Sequence, residues 1–381
     1  MSNIYVDYAA ATPMDERVLA AMRPYFTEQF FNPSATYLAA KQVRDDLDRA
    51  RAAVADVLGA RPAEVIFTAG GTEANNMAIH GIMRKFSGKK VIVSAIEHES
   101  VLASARVYQC VEAPVAADGL TILDALSDLI DDETVLVSVM YANNEIGTIQ
   151  PIREVSSLVQ DVLARRRKSG NALPLYVHTD AAQAANYLDM HVSRLGVDLM
   201  TLNGGKIYGP KQSGALWVKT GVVLEPLVYG GGQERGLRSG TENVAGAIGF
   251  SAALCLAQAM RTDEAYRLRQ LQRLCFDLFE KRLPDAVVNG SLKKRLPNNV
   301  HITLPGRDNE RILIQLDEAG IQAAAGSACS ASNEDPSHVL CAMGIAPVEA
   351  QASLRFTFGR QTTEADIRRL VDVLVRLADR V

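Results

Sequence analysis

Short apolar runs alternate with amphipathic stretches along most of the chain. Val65-Ile66-Phe67, Val91-Ile92-Val93, Val135-Leu136-Val137-Ser138-Val139, Tyr176-Val177-His178 and Leu199-Met200 predict short buried strands. Between Arg44 and Gly59, Leu47, Ala50, Val54 and Val57 recur at spacings of three and four, which predicts a helix stopped by Gly59. Strands alternating with helices imply a mainly parallel sheet covered on both faces, an α/β fold. From Glu242 to about Leu283 the pattern is helical without proline, long enough to predict a break or a helix joining two domains. Beyond it the pattern becomes α+β. Asn299–Thr303 and Leu354–Phe358 predict strands, and a last helix capped by Thr363 buries Ile367, Leu370, Leu374 and Leu377. The division expected is a large α/β domain over 15–260 and a small α+β domain over 261–381.

The chain has 381 residues, 48% hydrophobic and 22% charged, which suits two domains better than one core. A net charge of −4 gives no reason to expect nucleic-acid binding. The run Arg165-Arg166-Arg167-Lys168 predicts a solvated helix C-terminus. Neither a bilayer-spanning stretch nor an apolar signal core is read, and five cysteines in this length make no disulfide framework, so a cytoplasmic protein is expected. The six histidines show no metal-ligand spacing, so no metal is expected.

Candidate chemistry gathers where strands end. Lys206 lies in Asn203-Gly204-Gly205-Lys206-Ile207-Tyr208-Gly209-Pro210, and Asp180 closes the run ending His178-Thr179. A lysine on glycine-rich backbone and an aspartate at a neighbouring strand end are the two fixed points of a pyridoxal phosphate site. The first bonds the aldehyde, and the second keeps the ring nitrogen protonated. Gly70-Gly71-Thr72-Glu73 opens a helix after Val65–Phe67, a pattern that suits an anion or an ordinary capped turn. Gln183 follows Asp180 by three residues, and His98 follows the strand Val91–Val93, placed to stack on a planar ring and carry protons. The glycine-rich stretch from Gly230 to Thr241 predicts a loop that contacts a ligand or a second subunit. Cys329, among small and polar residues in Gly326-Ser327-Ala328-Cys329-Ser330, is the candidate nucleophile, whereas Cys110, Cys255, Cys275 and Cys341 are expected to be buried thiols.

Together these motifs resemble the cysteine desulfurases of the iron–sulfur cluster assembly type, in the class V aminotransferase family. The resemblance runs from Tyr5-Val6-Asp7-Tyr8-Ala9-Ala10-Ala11-Thr12-Pro13 to Leu354-Arg355-Phe356-Thr357-Phe358-Gly359-Arg360. Its most specific pieces are Asn143-Asn144-Glu145-Ile146-Gly147, the glycine-rich run through Thr241, and Gly326–Cys329 followed by Pro336-Ser337-His338. It implies the fold-type I pyridoxal phosphate architecture as a homodimer, with residues 1–14 joining the small domain. It also implies L-cysteine as substrate, alanine and a cysteine persulfide as products, and a sulfur-acceptor or cluster-scaffold protein as partner. By position, Lys206 resembles the lysine bonded to the cofactor, Asp180 the ring-nitrogen partner, Gln183 the group near the ring hydroxyl and His98 the stacking proton carrier. Gly71, Thr72 and Asn203 resemble phosphate-side groups, and Thr241 one supplied by the other subunit. Asn144 and Arg355 resemble the holders of the substrate carboxylate, and Cys329 the sulfur acceptor.

The chain departs from the family at three places. Asn203 and Gly205 stand where serine and histidine usually help to bind the cofactor phosphate, and Tyr229 stands where histidine is common. Two rival readings follow. One is a lyase or aminotransferase that uses Lys206 but not Cys329. The other, motivated by Gly205, is a cofactor-poor homologue that serves as a binding partner in sulfur transfer.

Overall fold

The computed structural model describes residues 3–326 and 336–378. The strands, in chain order, are β1 (Ile4–Tyr5), β2 (Val65–Thr68), β3 (Lys90–Ser94), β4 (Gln109–Ala113), β5 (Thr134–Ser138), β6 (Tyr176–Asp180), β7 (Leu199–Asn203), β8 (Gly214–Val218), β9 (Val287–Val288), β10 (Asn299–Thr303), β11 (Ile321–Gln322) and β12 (Ser353–Thr357). Seven form the central sheet, in the order β2-β8-β7-β6-β5-β3-β4. Strands β3 to β7 pair in parallel, while β8 runs antiparallel to both β7 and β2. Every residue of β3, β5 and β8 is buried, as a sheet covered on both faces requires.

One face packs on the helices Leu38–Leu58 and Ile152–Ser169 and on the first half of Val244–Arg282. Val54 and Leu58 are fully buried there, each contributing about 1.5–3 kcal/mol. Gly59 ends the first of these helices at φ +63°, where a methyl group would also strike the His191 ring. The other face packs on the helices Gly71–Lys85 and Glu99–Ala105 through Met77, Ile79, Ile82, Val101 and Leu102. The helix Val244–Arg282 is continuous over 39 residues, with no break. Its Phe250, Ala253 and Leu254 serve the large core, and its Leu268, Cys275 and Phe279 serve a second core with β10, β12 and the last helix, Glu364–Ala378. The antiparallel sheet β12-β10-β9 belongs to that second core. So does the N-terminal segment, since β1 pairs with β11 and Asp7 bridges to Thr357.

Three expectations change. Val244–Arg282 is long and apolar enough to cross a membrane by length and composition, although no such stretch was read from the sequence; more than half of its apolar window is buried inside the protein. Arg166 is buried rather than solvated. It donates to the carbonyls of Thr134 (2.8 Å), Leu173 and Pro174 (both 3.2 Å), tying the end of its helix to the start of β5. Of the four thiols expected to be buried, Cys275 is fully so, while Cys110, Cys255 and Cys341 are half-buried. Burial still pushes the Cys110 thiol up to about 11, so it stays protonated at neutrality.

Two buried histidines make stability depend on pH. His178 lies between Ser138 Oγ (2.8 Å) and Thr201 Oγ1 (3.0 Å), and burial lowers its pKa from 6.5 to about 4, against a smaller opposing effect of Asp180. Burial, with Arg295 and Arg355 nearby, lowers that of His301 to about 3. Both pKa values are depressed on folding, so the unfolded chain binds more protons below about pH 6.5. The stability these groups contribute is complete above that pH and is lost as pH falls toward 4, reaching about 2 kcal/mol per histidine by pH 5. Glu97, whose carboxyl is raised by burial, acts in the opposite sense, so the check is a difference. Urea unfolding at pH 7.5 and pH 5 is expected to show a smaller acid loss for His178→Gln than for the parent; equal losses would remove His178 as a cause.

Candidate active site

The carboxyl ends of the parallel strands open on one side of the sheet, where ligands of α/β proteins bind. Five strand ends deliver side chains to a single cavity of about 240 Å³. The turn after β2 contributes Gly71 and Thr72, β3 leads to His98, β5 to Asn144, β6 to Asp180 and Gln183, and β7 to Asn203 and Lys206. Arg355 enters from β12, and Ala9 and Ala10 close the cavity from the N-terminal segment. A second cavity of about 640 Å³ adjoins it on the helix-start side, sharing Ala10, Gly71, Thr72, Asn203 and Lys206 and adding Gly205 and Lys211.

Asp180 is buried, and both its oxygens are engaged. Asn75 Nδ2 donates to Oδ2 at 2.7 Å, and the Ala182 N–H donates to Oδ1 at 2.9 Å. Charge-assisted bonds of this kind aim a carboxylate firmly. Asn75 is also buried, and the same Nδ2 reaches Ser100 Oγ at 2.8 Å. His98 caps the helix Glu99–Ala105, with Nδ1 accepting the Ser100 N–H at 3.1 Å. A neutral ring therefore carries its proton on Nε2. Lys206 Nζ donates to the Ala10 carbonyl at 2.5 Å, and Gln183 Nε2 to the Ala9 carbonyl at 3.0 Å. Asn186 fixes the Lys206 backbone by donating to its carbonyl at 2.7 Å, and Thr12 holds the same turn through the Gly205 carbonyl.

The helix Gly71–Lys85 begins at Gly70, whose φ of +138° only glycine adopts freely and whose cap has no side-chain acceptor. Its first N–H groups thus face the outer cavity as donors for an anion. Asn203 accepts the Gly205 N–H through Oδ1 at 2.9 Å, leaving its amide NH₂ beside Gly71. Arg355 is 2% exposed. Its Nη2 donates to Asp7 Oδ1 at 2.7 Å and its Nη1 to the Asn144 carbonyl at 3.1 Å, while its Nε is buried and has no acceptor among the described residues. A buried guanidinium with an unused donor suits a carboxylate ligand.

The residues present fit pyridoxal phosphate: an amine and a carboxylate on one cavity, an imidazole between strand ends, and an anion-binding helix start adjoining them. Thr241 is exposed and lines neither cavity of this chain. Cys329 lies outside the described residues, but both flanks of its segment are placed. Ala324 and Arg355 exchange backbone hydrogen bonds, and Ser337 Oγ donates to Glu145 Oε2 at 2.6 Å.

Asn75, Asp7 and Glu97 were not read as site residues from the sequence. Asp7 lies within the N-terminal motif, and Glu97 directly precedes His98. Glu97 is fully buried. Burial and the nearby Asp180 charge push its carboxyl well above the usual carboxylate range, and its Oε2 has no partner among the described residues. The periodic position of Asn75 on its helix offered no signal, because its partner lies on another strand.

The family model of class-V aminotransferases matches residues 4–370. The chain belongs to the class-V aminotransferase family. Among class-V relatives, cysteine desulfurase IscS of Dictyoglomus turgidum is 40% identical, over 99% of this chain and 95% of its own length. Cysteine desulfurase IscS 1 of Archaeoglobus fulgidus is 41% identical, over 99% and 97%. A solved NifS-like protein superposes over the whole of both chains with a TM-score of 0.90 at 30% identity. The structure of SspA in complex with cysteine superposes over 93% of this chain and 98% of that one, with a TM-score of 0.79 at 32% identity. Class-V aminotransferases and cysteine desulfurases are pyridoxal phosphate enzymes.

Proposed function

We propose that this chain is a pyridoxal phosphate-dependent L-cysteine desulfurase that passes the sulfur on as a persulfide of Cys329. The observation that carries the reading is the convergence of Lys206, Asp180, His98 and Arg355 on one cavity in a chain about 40% identical to cysteine desulfurases. When bound, pyridoxal phosphate supplies an aldehyde for amine bonding and a ring that accepts electrons. Asp180, aimed by Asn75 and the Ala182 N–H, would hold a proton on the ring nitrogen. His98 would lie against the ring with its proton on Nε2, and Gln183 would serve the ring hydroxyl. Gly71, Thr72 and Asn203 would hold the phosphate.

Arg355 and Asn144 bind the substrate carboxylate, and Lys206, released from the Ala10 carbonyl, takes the substrate α-proton. The Cys329 thiolate attacks the substrate sulfur. A sulfur–sulfur bond forms, the carbon–sulfur bond breaks, and its electron pair stays with the three-carbon skeleton, which is protonated to alanine. His98 handles the thiol proton.

A homodimer completes this reading. Phe26, Phe30, Tyr37 and Leu38 are all more than half exposed; Phe30 stacks on Phe31, which meets Tyr37 edge-on. Aromatic surface of this kind is uncommon on a monomer and suits a second copy, which then supplies Thr241. The reading places the enzyme in the cytoplasm, where a nucleophilic thiol stays reduced, and gives it a sulfur-acceptor or cluster-scaffold protein as partner.

Purified protein given pyridoxal phosphate and L-cysteine with a thiol reductant is expected to absorb in the visible and to form alanine and sulfide in equal amounts. A keto acid in place of alanine would assign an aminotransferase, and an absent visible band the cofactor-poor binding homologue.

A further inference from the structure

We infer that Lys211 is a phosphate ligand of the cofactor and takes the place of the side chain missing at Gly205. The inference rests on the pyridoxal phosphate reading above. Lys211 lines the outer cavity together with Gly71, Thr72, Gly205 and Lys206. A methyl group on Gly205 would lie 3.6 Å from Lys211 Cγ and 3.8 Å from its Cα, so the lysine stem packs alongside the point from which a side chain at 205 would start. The turn that brings it there is specific. Tyr208 and Gln212 both take positive φ, +61° and +57°, conformations that side-chain-bearing residues rarely adopt. They fold the segment after Lys206 back on Gly205.

The local charge suits the role. Glu73 lines the same cavity, but its Oε1 accepts Arg238 Nε and its Oε2 the Ala69 N–H, at 2.9 and 2.8 Å. Lys206 borders both cavities, and its Nζ is bonded to the Ala10 carbonyl. Lys211 is exposed and makes no ion pair among the described residues, so its ammonium is available to a dianion at the Gly71 helix start. A lysine is a point charge on a flexible stem, and it balances phosphate without the fixed geometry of an imidazole.

The test compares pyridoxal phosphate with pyridoxal, which lacks the phosphate, by visible titration of the apo protein. Lys211→Met keeps the stem against Gly205 and removes the charge. It is expected to weaken pyridoxal phosphate binding about ten- to a hundred-fold, the scale of one lost charge-assisted bond, and to leave pyridoxal binding unchanged. Adding Gly205→His to Lys211→Met is expected to restore much of the loss, since the contacts around Gly205 are of ordinary length and admit a side chain. Unchanged pyridoxal phosphate affinity in Lys211→Met would overturn the inference, as would an equal loss for both ligands, which marks a structural role. Absence of any visible band in the parent protein would instead remove the cofactor reading, and this inference with it.

Discussion

Lys206→Ala is expected to abolish covalent attachment of pyridoxal phosphate and to lower desulfuration by about a thousand-fold or more, because one amine serves both as the bonding group and as the base. The geometry singles out Lys206. Its amine shares the inner cavity with Asp180, His98 and Arg355, whereas Lys211 reaches only the outer one. The fold is expected to survive, since the turn is held through backbone groups: Asn186 on the Lys206 carbonyl, Thr12 on the Gly205 carbonyl, and Asn203 on the Gly205 N–H. Borohydride reduction of the loaded parent protein followed by peptide mapping locates the bonded lysine. A label on Lys211 would reverse the roles of the two residues and sink both assignments.

Cys329→Ser is expected to keep the visible spectrum and substrate binding while losing the persulfide, with sulfide release down by about two to three orders of magnitude. A hydroxyl is close in size to a thiol but a far poorer nucleophile toward sulfur. The separation of effects is expected because, among the described residues, the cavity groups are carried by the ends of β2, β3, β5, β6 and β7, by β12 and by the N-terminal segment. Its flanks do border the substrate end of the cavity, through the backbone pairing of Ala324 with Arg355 and the bond from Ser337 to Glu145. Alanine and sulfide formed at the parent rate without added thiol would assign sulfur release to another route, as in a lyase.

Much of the architecture was legible in the pattern of apolar positions. The strands around Val65–Phe67, Val91–Val93, Val135–Val137, Tyr176–His178 and Leu199–Met200 are present, because buried strands announce themselves as short apolar runs. Two central strands were not read. β4 is a partly exposed edge strand whose Gln109 and Glu112 interrupt the apolar run. β8 runs antiparallel between β7 and β2, a place that pairing decides rather than composition. Arg166 was misread for a similar reason, since a basic cluster at a helix end looks the same whether its carbonyl partners are solvent or Thr134 and Leu173.

By itself the sequence determined which chemical groups are available and that each follows a strand: an amine at Lys206, a carboxylate at Asp180, an imidazole at His98, an anion-binding helix start at Gly71. Strand alternation with helices already requires these ends to lie on one side of a parallel sheet. Only the tertiary structure decided which groups meet and what supports them. Asn75 reaches Asp180 across 105 residues of chain, Asp7 reaches Arg355 across 348, and Lys211 folds back beside the vacant position at Gly205. Such contacts depend on strand order, on a long helix that joins two cores, and on an N-terminal segment returning to β11. Local periodicity carries no information about them, because their free energy comes from neighbours that only the assembled fold brings within hydrogen-bonding distance.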